Sequence, residues 1–272
     1  MGGKAKLDMG VHRAAIATSI VGLILASLWP IAAGAEELPC LKAASVAAGD
    51  TFTLTAPIEG TATVRLAGIL APLPPANAPA NATWPLATAA RDALLALLGD
   101  YCLRLVPDAP LVDRYNRLSA QIFRHDGVWI QGQLVHQGLA RVVPGLDTGE
   151  NIRRLLPLEA DARAAARGLW ADDAYAVRTD ATAGRFIGTF QLVEGTVRKA
   201  ARVGPNVYLN FGDDWRSDFT VVIPAKTLAA WARAGSDPMQ LGGRRVRVRG
   251  VIESLNGAMI EAAEPEMLEV LP

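Results

Sequence analysis

Asp113-Arg114-Tyr115-Asn116-Arg117-Leu118, then Asp126-Gly127-Val128-Trp129, then Leu134-Val135-His136-Gln137-Gly138-Leu139-Ala140 is the stretch whose reading decides the fold. Between the first two pieces, residues 118–124 alternate and carry Ile and Phe, which predicts a strand. Residues 130–137 predict a short helix closed by Gly138. Further on, residues 152–167 predict a longer helix, with Leu155, Leu158, Ala162 and Ala165 facing inward and Gly168 as its stop. Upstream, residues 102–106, 64–69 and 51–54 read as strands. Residues 87–98 read as a helix with Ala90, Leu94 and Leu97 on one stripe and Gly99 past its end. Pro72, Pro74, Pro75, Pro79 and Pro85 make the connection before that helix a loop. Strands, helix, strands and two helices in that order predict a small mixed barrel packed against helices.

Those same residues resemble the staphylococcal nuclease (thermonuclease) family over about residues 46–170. The Asp113–Leu118 and Gln137–Ala140 segments match the second half of that family. Leu158-Glu159-Ala160-Asp161-Ala162-Arg163 and Gly168-Leu169-Trp170 are similar to its final helix and tryptophan. Gly49-Asp50-Thr51 and Val64-Arg65-Leu66 sit where its first strands begin. The resemblance implies an OB-fold: a β-barrel plus α-helices. The family cleaves phosphodiester bonds with one calcium ion, two arginines and a glutamate. Calcium is a hard cation that takes oxygen ligands, chiefly carboxylates. Arginines grip the phosphate and offset its developing charge, and the glutamate serves as general base.

Residue by residue, the resemblance implies that Arg65 and Arg117 are the phosphate-gripping pair, Asp50 the first metal carboxylate, and Tyr115 the tyrosine beside the nucleotide. The family's motif after the first arginine has the form R-L-x-x-[IV]-D-x-P-E. Here it reads Arg65-Leu66-Ala67-Gly68-Ile69-Leu70-Ala71-Pro72-Leu73. Leu70 stands where the second metal aspartate belongs, and Leu73 where the glutamate belongs. From residue 60 to residue 91 there is no Asp or Glu to compensate. General-base assistance alone is typically worth ~10²–10⁴-fold. Arg65, Arg117 and Asp50 are therefore expected as vestiges of the site, with turn and ion-pair roles as their alternatives. No cofactor is expected, or calcium if any activity remains.

The first 35 residues read as a signal peptide. Lys4, Lys6, His12 and Arg13 precede an apolar run over residues 14–28, and Ala33-Gly34-Ala35 offers a cleavage site. An uncleaved anchor is the alternative, and the only link to a membrane. Without this segment 24 basic and 26 acidic side chains remain. That balance excludes a strongly basic nucleic-acid binder, whose affinity rests on neutralising many phosphates. The expected location is the bacterial periplasm or the exterior. Cys40 and Cys102 are the only cysteines, and an oxidising compartment favours their pairing. His125 and His136 read as surface residues.

Beyond a linker at residues 171–188, the smaller domain at 189–272 is expected to be a second OB-like β-barrel. Its strands are read at 192–198, 206–211, 219–223, 245–251 and 259–261, with a helix at 226–234. Alternation places Arg245, Arg247 and Arg249 on one face. Beside Tyr208, Trp215 and Phe219 this stripe is a candidate nucleic-acid face. The alternative is a solvated face balanced by Glu253, Glu261 and Glu264. Three functions stay open. The first is an exported, catalytically impaired nuclease-like module that binds nucleotides, single-stranded nucleic acid or a protein partner. The second is an active metal-dependent phosphodiesterase. The third is an interaction scaffold.

Overall fold

The computed structural model describes residues 40–73, 84–145, 149–214 and 216–272. The expected signal peptide and Trp215 lie outside these residues. Among the described residues no helix is long and apolar enough to cross a membrane.

The first half contains β1 (Ala43–Ala48), β2 (Thr51–Ile58), β3 (Thr61–Leu66), β4 (Ile69–Leu70), α1 (Ala87–Leu98), β5 (Leu103–Val112), β6 (Leu118–Arg124), α2 (Ile130–His136), β7 (Arg141–Val142) and α3 (Gly149–Ala164). Five strands form one sheet in the order β1-β2-β3-β6-β5. All its pairings are antiparallel except β3 with β6. Alternation along β2 and β3 sends Phe52, Leu54, Val64 and Leu66 into the core, where Leu94 and Leu98 of α1 and Leu134 of α2 meet them. Residues 64–69 do not form one strand. Gly68, at φ 77°, turns the chain so that β4 leaves the sheet and pairs with β7 instead.

No continuous ladder closes the sheet. Its two edges approach at one end only, where Leu41 bridges Leu103 and the Leu103 N–H donates to the Leu41 carbonyl at 2.8 Å. Cys40 and Cys102, next to this bridge, are disulfide-bonded. The covalent link therefore ties the start of one edge strand to the start of the other.

The ends of α2 and α3 cross backbone to backbone at Gly138 and Gly168, both with positive φ. The Leu169 N–H donates to the Gly138 carbonyl at 2.8 Å. A Cβ on Gly138 would lie 2.1 Å from the Arg167 carbonyl oxygen. Neither the conformation nor the space admits a side chain. The left-handed backbone alone costs a non-glycine residue about 1–2 kcal/mol, and relieving the clash adds to that. Gly138→Ala is expected to lower stability by more than about 2 kcal/mol. A denaturant titration with an unchanged midpoint would refute this close approach.

Residues 171–188 hold short 3-10 turns and β8 (Arg178–Thr179), which pairs in parallel with β9 (Phe190–Thr196). There follow β10 (Lys199–Val203), β11 (Asn206–Asn210), β12 (Thr220–Ile223), α4 (Leu228–Arg233), β13 (Arg245–Val251), β14 (Glu253–Ser254), β15 (Ala258–Glu261) and β16 (Leu268–Val270). They make two sheets, β10-β11-β12-β15-β14 and β16-β13-β9-β8. The parallel pair β12–β15 repeats the arrangement of β3–β6. The second OB-like barrel expected from the sequence is not closed: its strands divide between these sheets. The division falls where β9 passes to β10 and where β13 passes to β14. A second apolar core around Val193, Leu209, Val221, Trp231 and Val248 fills this half.

Candidate functional site

Asp50 follows Gly49 in the turn joining β1 to β2. A Cβ on Gly49 would approach Ala90 of α1 to 2.6 Å, so only glycine lets the turn sit that close. The Asp50 side chain is fully buried. Its carboxylate accepts the Ala71 N–H at 2.8 Å and the Thr51 hydroxyl at 3.0 Å, and it pairs with Arg65 at 3.2 Å. Arg65, on β3, also donates to the Leu66 and Ile69 carbonyls at 3.0 and 2.8 Å. Burial lowers the Arg65 pKa; Asp50 opposes that, and nearby Arg117 adds to it. Aspartate and arginine together hold the β3–β4 turn.

Arg117 precedes β6. Its Nε and Nη2 meet the Asp113 carboxylate at 2.9 and 2.7 Å. The same carboxylate accepts the Tyr115 and Arg117 N–H groups, which closes the loop around Asn116 at φ 58°. Burial alone would raise the Asp113 pKa, but the hydrogen bonds from Arg117 and from the loop hold it below the ordinary range. Tyr115 is 63% exposed, with the Arg114 and Arg117 guanidiniums 4.9 and 5.1 Å from its ring. An exposed ring with two guanidiniums close by can stack a base and hold a phosphate.

Among the described residues, leucines occupy the positions of the expected catalytic carboxylates. Leu70 lies on β4, and Leu73 is 46% exposed beyond it. Among the described residues no three His, Cys, Asp or Glu side chains gather as a metal site. Asp50 already has three partners, and leucine offers no oxygen, so these residues do not fit the calcium ion of the family.

The arginine stripe needs correction as a nucleic-acid face. Arg245 and Arg247 pair with Glu194 at 2.9 and 2.5 Å, and Arg247 also reaches Glu269 at 3.1 Å. Arg249 is 1% exposed. It pairs with Glu159 of α3 at 2.7 Å, donates to the Val142 carbonyl at 3.2 Å, and contacts Glu269. Burial alone would lower the Arg249 pKa, but Glu159 and Glu269 outweigh it and raise it. The three arginines do share a face of β13, but Arg249 is buried against the first half, and Arg245 and Arg247, though nearer solvent, are paired with Glu194 and Glu269. The counter-charges are Glu159, Glu194 and Glu269, not Glu253, Glu261 and Glu264. Tyr208 and Phe219 do not join it: Phe219 is in the second core and Tyr208 lines a separate pocket. The signal for Glu159 was present. It lies four residues after Leu155 and three before Ala162, on the apolar stripe of α3, where a charge needs a buried partner.

Where the two halves meet, sequence reading missed a cleft of about 590 Å³. Leu70 and Leu73 line it from one side, and Tyr175, Arg178 and Phe186 from the other.

Residues 63–172 match the family model described as staphylococcal nuclease homologue. Over this stretch the protein is similar to a family of OB-fold, calcium-dependent nucleases. No curated protein matches the chain.

Proposed function

We propose that this protein is an exported, non-catalytic nuclease homologue that keeps a weak nucleotide-binding surface. The carrying observation is that Asp50 is closed on Arg65, Ala71 and Thr51, with leucines at both other carboxylate positions. Arg114, Tyr115 and Arg117 remain at the surface as the phosphate- and base-contacting patch. The Cys40–Cys102 disulfide supports an oxidising location, the periplasm or the exterior, after removal of residues 1–35. The β9–β16 region is read as an OB-like partner domain on the strength of its parallel β12–β15 pair.

Purified protein incubated with single-stranded DNA and calcium, magnesium or manganese is expected to give no cleavage above background. Metal-dependent cleavage that disappears in Arg117→Ala would overturn the reading. Calorimetric titration separates the causes. The parent should show no specific calcium binding. Leu70→Asp/Leu73→Glu should gain a specific calcium isotherm, because the Asp50 carboxylate receives the N–H of Ala71, the residue next to Leu70.

A further inference from the structure

The cleft between the halves offers a chemistry that the nuclease patch does not. Its described lining is apolar and aromatic, through Leu70, Leu73, Trp84 and Phe186, and its only charged members are Arg141 and Arg178. No described Asp or Glu lines it. Its volume lies within the range of sites that enclose small molecules.

The two guanidiniums are not used as those of β13 are. Among the described residues Arg141, on β7, makes one hydrogen bond, from Nη1 to the Phe190 carbonyl at 2.8 Å. It stands 5.4 Å from the Tyr175 ring and 5.0 Å from the Phe190 ring. No carboxylate of the described residues lies within ion-pair distance of it. A guanidinium has five N–H groups, so most of those on Arg141 have no acceptor among the described residues. Burial pushes its pKa down to about 10; Tyr175 and Glu159 oppose this, and Arg178 deepens it. Arg141 is thus a cation short of an anion. Arg178 is held in place by the Asp173 and Ala174 carbonyls at 2.9 and 2.8 Å, 4.1 Å from the Phe186 ring. Burial pushes the Tyr175 pKa up to about 12, so the phenol stays neutral, and it donates to the Pro85 carbonyl at 2.9 Å.

We propose that this cleft is a binding site for a small amphipathic carboxylate. The head would sit on Arg141, with the field of Arg178 behind it, and the apolar body along Leu70, Leu73, Trp84 and Phe186. A planar guanidinium with paired free N–H groups suits a carboxylate held at two oxygens. The leucines that displaced the family's carboxylates acquire a positive use here, since an aspartate at Leu70 or a glutamate at Leu73 would repel the ligand. The inference is independent of nucleotide binding at Tyr115.

Isothermal titration of the full chain with decanoate, below its micelle concentration, tests this, with decylammonium and decanol as controls. Decanoate is expected to bind one per chain, with decylammonium giving no binding and decanol at least tenfold weaker binding. Arg141→Gln and Leu73→Glu, each checked for an intact thermal transition, should each weaken decanoate about tenfold or more. Leu73→Glu decides the matter if Arg141→Gln does not fold, because Leu73 is exposed. Absence of decanoate binding, equal binding of decylammonium, or unchanged affinity in the folded variants would overturn the proposal.

Discussion

Arg249→Ala is expected to cost about 3–5 kcal/mol of stability, the range for removing one partner of a buried ion pair. The size follows from what is left behind. Glu159 is fully buried, and its Oε2 would keep only Arg163 at 3.4 Å, while its Oε1 accepts the Val142 N–H at 2.7 Å. The Val142 carbonyl loses a donor in the same step. The pair itself need not be strongly stabilising, because both groups were desolvated to form it. Adding Glu159→Gln to Arg249→Met should therefore recover part of the loss, since it removes the orphaned charge while its amide oxygen still serves Val142. Denaturant titrations of the parent, both single variants and the double give the coupling. An additive cycle would mean that the pair does not join the halves.

Acid should open the same cluster. Burial alone would raise the Glu269 pKa, but Arg249 above all, then Arg247 and Arg163, hold it below the ordinary range. A group depressed in this way stabilises the fold above its unfolded value. That contribution fades as pH falls below about 4.3 toward the lower folded value. The thermal midpoint of Glu269→Gln should accordingly fall less between pH 6 and pH 3 than that of the parent.

Removing the disulfide is expected to cost about 2–4 kcal/mol, whether by reduction or by Cys40→Ser/Cys102→Ser, for a loop spanning 62 residues. The effect should be local before it is global. The bond and the Leu41–Leu103 bridge are what bring the sheet's edges together, and β1 is an edge strand with four alanines among six residues. Hydrogen exchange in the reduced protein should rise first in residues 43–48. Uniform loss of protection across the first half would contradict the edge-staple account.

The elements that could be read from the sequence were those with a strong period or clear punctuation. Residues 87–98, 118–124 and 245–251 form elements with the bounds expected of them. β1 and β10 were missed because their alanines are poor strand formers, and each is an edge strand held by a single hairpin neighbour, β2 and β11. The helix at 152–167 begins three residues earlier, at Gly149, and ends at Ala164. At the nuclease-like site, the motif brought Asp50, Arg65, Leu70, Leu73, Tyr115 and Arg117 into view as candidates. What it could not convey was how Asp50 and Arg65 are occupied, or that Arg249 is buried. Alternation assigns residues to a face of a strand, but it does not say what covers that face. The inter-lobe cleft depends on residues from Leu70 to Gln191 meeting in space, and no local pattern announces that.

The buried pair also imposes an order in time. Glu159 precedes Arg249 by 90 residues, so the chain emerges with the carboxylate long before its partner. Throughout that interval α3 carries a carboxylate on its inward stripe with no arginine from β13 to receive it. Chains ending before residue 245 should therefore hold α3 by apolar contacts such as those of Ile152 and Leu155 and show it more open to protease than the full chain does. The second half thus acts on the first as a clamp, closed where Arg249 meets Glu159 and the Val142 carbonyl.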